Sequence, residues 1–259
     1  EGPVSGSVLL RKRQFESLSD RSFSVYFVRT LLMAKIRNSK TVLLRSARSE
    51  DSGDTVLYDA AGRLSGLAKT LLDADSIDTM RGIEGAAATI YFSCFDRMLG
   101  ASCPFRFETR SRRPPKNEIN AVLSFAYTLL RREVTSALEA VGLDPAAGYL
   151  HTLRPGRPAF ALDLMEELRG PLCDRFVLTL FRRKQLSSAQ FDHDEEAVYL
   201  NEKGRRAVLS AWQKRKGETI QHPFLNEKIQ IGLIPYAQAM LFARVLRGDL
   251  DCYPPFVWR

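Results

Sequence analysis

The sequence predicts a mainly α-helical fold with a short residual β segment at its start and one internal hairpin. Three observations carry this. Apolar residues recur at helical spacing through most of the chain. Residues 118–141 are framed by a capping Asn117 and a terminating Gly142. Strand-like runs are confined to the opening residues and to a short stretch around 190–201.

In chain order, the opening E-G-P-V-S-G-S-V reads as a strand and turn cut from something longer. Residues 15–40 have helical periodicity, with Asn38-Ser39 offering a break before a second piece over 41–48. S-E-D-S-G at 49–53 is a solvated turn. Residues 77–99 form one long helix, with Met80, Ala87, Tyr91, Cys94 and Met98 on a single stripe. Then F-R-F-E-T-R-S-R-R-P-P-K, residues 105–116, makes a basic loop closed by two prolines. In the helix over 118–141, Ile119, Val122, Leu123, Ala126, Leu130, Val134 and Leu138 share a face. A loop rich in Gly and Pro covers 144–158. The next helix starts near Phe160 and is interrupted at Gly170-Pro171, where Pro can begin a second helix. After an acidic turn, Ala197-Val198-Tyr199-Leu200 gives the hairpin signal, and helices over 202–216 and 227–247 lead to the tail Y-P-P-F-V-W-R.

Composition narrows the function. With 259 residues, 45% of them hydrophobic and 26% charged, the chain can bury a substantial core and is not disordered. The most apolar stretch, 229–245, contains Pro235, Gln238 and Arg244, which excludes a membrane span. Thirty-eight Lys and Arg against 30 Asp and Glu leave a net charge of +8. That excess points either to a polyanionic partner or to an ordinary basic enzyme. Four cysteines without a C-x-x-C pair argue against a thiolate zinc site and a disulfide framework, and for a reducing, cytoplasmic setting.

Several side chains could carry chemistry. Glu84 lies on the stripe of Met80, Ala87 and Tyr91, among small residues that would let another backbone approach. A carboxylate there needs a partner: an arginine or a metal ion. His151, in H-T-L-R-P-G-R-P, is either a surface residue or a ligand in a loop suited to phosphate. His193 and His222 read as exposed. Asp163 and Glu166 are three apart and share a helical face, while Glu167 reads as solvated. Two or three carboxylates and one imidazole suit Mg²⁺ or Mn²⁺. Such an ion beside arginines is the equipment of phosphodiester chemistry.

The segments I-E-G-A-A-A-T-I-Y-F, R-P-P-K-N-E-I-N-A-V-L-S-F-A-Y-T-L-L and G-L-D-P-A-A-G-Y-L-H-T-L-R-P-G-R-P-A-F-A-L-D-L-M-E-E-L-R resemble the CRISPR spacer integrase family, the metal-dependent endonuclease of CRISPR adaptation. The likeness runs from about Gly6 to the C-terminus. A-K-I-R-N-S-K-T-V-L-L-R and Y-P-P-F-V-W suggest the type I-C branch. The resemblance implies a Mg²⁺ or Mn²⁺ site formed by Glu84, His151 and Glu166, with Asp163 supporting it. It makes Arg154 a basic site position and leaves Tyr127 to packing.

It also implies that residues 1–10 are the remnant and linker of an N-terminal β-rich domain, and 11–259 the catalytic helical domain. Arg112, Arg113, Lys116, Arg154 and Arg157 would position DNA phosphates. The implied partners are double-stranded DNA (a spacer precursor and the CRISPR repeat), a second copy of the full-length chain, a small ferredoxin-like adaptation protein and a trimming nuclease. The activity implied is joining of 3′-hydroxyl ends to the repeat by transesterification. A structure-specific nuclease, a transposon-type integrase on the same fold and a non-catalytic DNA-binding scaffold are the alternatives.

Overall fold

The structure is a computed structural model that describes residues 8–48 and 54–258. Helix α1 (Val8–Ser19) leads into α2 (Arg21–Ala47), and Asp20 divides them. The Asp20 carboxylate accepts from the N–H groups of Ser22 and Phe23 at 2.9 and 3.1 Å, an N-cap. Val8 and Leu9, expected in a strand, therefore begin a helix. The rest of that expected strand and the turn at 49–53 lie outside the described residues.

The break expected at Asn38-Ser39 does not occur. Asn38 is buried and directs its side chain away from its own helix. Its Nδ2 donates to the carbonyls of Glu167 and Phe256, both at 2.7 Å, and its Oδ1 accepts from Trp258 N–H at 2.8 Å. With these bonds made elsewhere, the side chain does not compete with the helical backbone. Helix α2 is buried on several sides through Phe27, Leu31, Leu32, Ile36 and Leu43, so other elements pack around it.

Helix α3 (Thr55–Thr70) and α4 (Ile77–Ser93) pack against α2 and each other. The helix expected over 77–99 is two helices. Cys94 N–H bonds Tyr91 O at 3.2 Å in a tightened turn, and α5 (Phe95–Leu99) follows. The stripe survives the break: Met80, Ala87, Tyr91, Cys94 and Met98 are all buried.

Helix α6 (Glu118–Val141) begins and ends as the sequence predicts. Asn117 Oδ1 accepts from Asn120 N–H at 2.8 Å, and Gly142 takes the left-handed conformation, φ 90°, that closes the helix. All seven residues of its predicted apolar face are fully buried.

After the 144–158 loop come α7 (Ala159–Leu164), α8 (Glu166–Leu168), a π turn over Arg169–Asp174 and α9 (Arg175–Arg182). Pro171, which has no N–H to donate, sits inside the π turn, so the expected interruption is a widened turn within one run of helix.

The predicted hairpin is β1 (Phe191–Asp194) paired antiparallel with β2 (Ala197–Leu200), Phe191 opposite Leu200. After α10 (Glu202–Gly217) a second hairpin, β3 (Thr219–Gln221) with β4 (Lys228–Gln230), replaces the first turn of the helix expected over 227–247. What remains of that helix is α11 (Ile234–Arg247). Asn226 at φ 55° turns the chain.

His222, expected to be exposed, is fully buried in this hairpin. Its Nδ1 accepts from the N–H groups of Phe224 and Leu225 at 3.3 and 3.2 Å, so Nε2 donates to Gln238 Oε1 at 3.0 Å. Burial lowers its pKa. His193 is exposed as expected, with Glu118 at 3.4 Å.

The core centres on Phe27, Tyr149, Phe160, Phe242 and Tyr253, where α2, α7, α11, the 144–158 loop and the tail meet. Phe27 and Phe160 each stand 4.7 Å from Phe242, and Tyr149 stands 5.1 Å from Phe27. No described helix is long and apolar enough to cross a membrane.

The tail folds back onto Glu167, which is buried rather than solvated. Tyr253 O–H and Gln238 Nε2 donate to Glu167 Oε1 at 2.7 and 2.8 Å, and Phe256 N–H donates to Oε2 at 2.8 Å. Burial outweighs these bonds and pushes the carboxyl up to about 7 from its ordinary 4.5. The folded chain thus holds a proton that the unfolded chain releases, and this contribution to stability is lost as pH rises from 4.5 to about 7. Urea unfolding of wild type and Glu167→Gln across that range should show the wild type losing about 2–3 kcal/mol relative to the variant. A constant difference between the two would refute the assignment.

Candidate active site

Asp163, on α7, is fully buried and organises the loop that carries His151. Its Oδ2 accepts from Tyr149 N–H at 2.6 Å and Leu150 N–H at 2.9 Å. Its Oδ1 accepts from His151 N–H at 2.9 Å and faces His151 Nδ1 at 2.6 Å. An acceptor at that distance fixes the tautomer: Nδ1 carries the proton and Nε2 keeps its lone pair for the cleft. Arg81 of α4 clamps the same loop, donating from Nε to Leu150 O at 3.0 Å.

Glu166 opens α8 one turn beyond Asp163, and only 6% of its side chain is exposed. Arg169 Nη2 lies 3.0 Å from its Oε1, and His151 Nε2 lies 3.8 Å from the same oxygen. Lys35 Nζ, from α2, lies 2.6 Å from its Oε2, an ion pair without hydrogen-bond alignment. Burial raises the Glu166 carboxyl, but the charges of Arg169, Lys35 and His151 outweigh it and bring the pKa down to about 2.

Glu84, on α4, is half-buried and pairs with the same Lys35 ammonium. The salt-bridge expectation for Glu84 therefore holds with a lysine in place of an arginine. Gly82 and Gly85 admit no neighbouring backbone, since a Cβ at either would meet nothing within 4 Å. The small residues around Glu84 leave open space instead.

Glu84, His151 and Glu166 line one cleft of about 260 Å³, together with Arg81 and Arg157. A smaller cavity of about 110 Å³ continues beneath it, where Lys35, Arg112, Tyr127, Arg169 and Asp174 join the same three residues. Tyr127 is packed, as expected, under Arg169 at 4.8 Å, and it also donates to Asp174 Oδ1 at 2.5 Å. Burial pushes the Asp174 carboxyl up to about 6.

Beside this lies a basic cleft of about 610 Å³, lined by Arg113, Arg131, Arg154, Arg157 and Arg169. Four of the five expected phosphate contacts, Arg112, Arg113, Arg154 and Arg157, thus surround the carboxylates. Lys116 is exposed and lines none of these spaces. Arg110, within the expected basic loop, serves that loop's own structure: its Nη1 donates to Asn120 Oδ1 at 2.8 Å.

Lys35, Arg169 and Arg131 are site residues that the sequence reading missed. Arg169 had a signal, the i,i+3 spacing from Glu166. Lys35 had another, a cation between the apolar Leu32 and Ile36 of a helix.

Among the described residues, no three carboxylate, imidazole or thiol groups stand as a closed ligand set. The donor chemistry nevertheless fits a hard divalent ion. Two carboxylates already share a cation, the ammonium of Lys35, and an imidazole Nε2 with a free lone pair faces them.

The architecture is that of the helical nuclease and integrase domains. A casposase bound to its integration product shares it at a TM-score of 0.83 with 22% identity, over 96% of this chain and 67% of that one. A Cas1 protein from Thermotoga maritima matches at 0.80 with 26% identity, over 94% and 72%. A Cas6-RT-Cas1–Cas2 complex contains a chain matching at 0.82 with 21% identity, over 95% and 72%.

The chain belongs to the CRISPR associated protein Cas1 family, whose model matches residues 1–214. It is 46% identical to a CRISPR-associated endonuclease Cas1 of Chlorobaculum tepidum over 263 residues, covering 100% of this chain and 77% of that protein. It is also 35% identical, over 99% of its length, to part of a Cas4 exonuclease/Cas1 endonuclease fusion of Rhodospirillum rubrum, covering 44% of the fusion.

Asp163→Ala should leave three backbone N–H groups and the imidazole without their acceptor. The expected cost is about 3 kcal/mol in urea unfolding, well above that of His151→Ala. Equal stability of the two variants would mean that the loop is held by other contacts.

Proposed function

We propose that this chain is a Mg²⁺- or Mn²⁺-dependent DNA integrase of CRISPR adaptation. It joins the 3′-hydroxyl ends of a short DNA fragment to the CRISPR repeat by transesterification. The observation that carries the reading is that Glu84, His151 and Glu166 line one cleft beneath a rim of arginines.

In this reading Glu84, His151 Nε2 and Glu166 hold the ion, and Asp163 fixes the imidazole that helps to hold it. When bound, the ion would polarise the scissile phosphoryl oxygen and lower the pKa of the attacking hydroxyl. The attacking 3′-oxygen forms a new bond to phosphorus, and the 3′-oxygen of the cut repeat strand leaves. No protein side chain enters the covalent chemistry.

Arg112, Arg113, Arg154 and Arg157 neutralise the phosphates on either side, and Arg131 extends that surface. A water molecule in place of the 3′-hydroxyl gives the nuclease reaction for which the curated relatives are named. Structures containing Cas2 and relatives fused to a Cas4 exonuclease support a ferredoxin-like partner and a trimming nuclease beside a second copy of the chain. Four free cysteines support a reducing, cytoplasmic setting.

In an assembly with the adaptation partner and a repeat-bearing target, His151→Ala should abolish Mn²⁺-dependent strand joining and leave DNA affinity within about twofold. Binding is spread over many cations, whereas a misplaced ion costs at least about 100-fold in rate. Normal joining by that variant would remove the mechanism. Arg112→Ala with Arg113→Ala should weaken DNA binding and make the slope of log affinity against log salt shallower by about 2, one unit for each phosphate left without its arginine. An unchanged slope would place the loop off the DNA.

A further inference from the structure

We propose that Lys35 is a resident counter-cation of the site. Its ammonium draws the carboxylates of Glu84 and Glu166 together in the metal-free protein and competes with the divalent ion for them. The inference rests on the metal-site reading given above.

Lys35 rises from the buried flank of α2, between Leu32 and Ile36, and its Nζ ends in the cleft. It pairs with Glu84 Oε1 on α4 and stands 2.6 Å from Glu166 Oε2 on α8, so one charge ties three helices at the site. Glu166 Oε2 is buried and has no hydrogen-bond donor, which leaves the ammonium as its neutralising contact. Without that charge, two carboxylates would face each other at the cleft, one of them almost wholly buried, which is strongly destabilising.

A divalent ion bound by the same two carboxylates answers the same need and would be repelled by the ammonium at a few ångströms. Lysine suits such a place, because its point charge sits on a flexible four-carbon stem and can swing aside. Arg169 is differently employed: it holds the other oxygen of Glu166 and is stacked on Tyr127. The ion and the ammonium are therefore alternative occupants of one position, and each weakens the other's hold.

The test is calorimetric titration of the protein with MnCl₂. Lys35→Met should bind Mn²⁺ about tenfold tighter than wild type or better. Its melting temperature in EDTA should fall below that of wild type and recover with Mn²⁺, while Lys35→Arg should keep the weak affinity. A measurement on the wild type avoids any folding defect: reductive methylation of Lys35, read by peptide mass spectrometry, should accelerate when Mn²⁺ is added.

Unchanged or weaker Mn²⁺ binding by Lys35→Met overturns the competition and leaves the metal site standing, as does a labelling rate indifferent to Mn²⁺. If neither wild type nor Lys35→Met binds Mn²⁺, the metal-site reading itself falls, and this proposal with it.

Discussion

Everything at the site depends on one buried carboxylate. Asp163 accepts three consecutive backbone N–H groups and the imidazole Nδ1 of His151, so it fixes the loop's path and the tautomer of the ring at its end. The loop cannot shift without exposing these donors to a cavity that offers no other acceptor, and unmet buried donors are costly. Tyr149, the first of the three, sits with Phe27, Phe160 and Phe242 in the aromatic core. The position of His151 is therefore set by the packing of the whole domain and not by local preference.

Around that anchor, charge is layered. Carboxylates occupy the floor, and Lys35 and Arg169 neutralise them at contact distance. Arg113, Arg131, Arg154 and Arg157 stand further out, where they face solvent and a large cleft. The inner cations act on the protein's own acids, and the outer ones remain available to a polyanion. A modest net charge of +8 is thereby concentrated into a directed field.

The sequence was most legible where a signal was local. Asn117, Gly142 and the seven apolar residues between them define α6 without knowledge of anything else in the fold. The D-x-x-E spacing and the H-T-L-R-P-G-R-P loop marked the site for a similar reason, since each needs few neighbours to be read. Errors came where a distant segment decides the outcome. Asn38 looked like a helix breaker until the tail supplied its hydrogen-bond partners, 218 and 220 positions away. Glu167 looked solvated because nothing nearby in sequence announces Tyr253 and Phe256. Lys35 escaped notice because its partners lie on two other helices.

The π turn over Arg169–Asp174 sets a rule for which length changes this chain can absorb. It amounts to one residue more than a regular helix would hold in the same span. Deleting a residue there would straighten the rod and rotate all that follows by about 100°. Asp174 would leave Tyr127, and Arg175 would leave the ring of Trp258, which it now covers at 4.1 Å. Asp163 and Glu166, upstream of the defect, would keep their places. Homologues that lack the extra residue would need a different floor under the same carboxylates, so the length of this one turn records which partners the site was built upon.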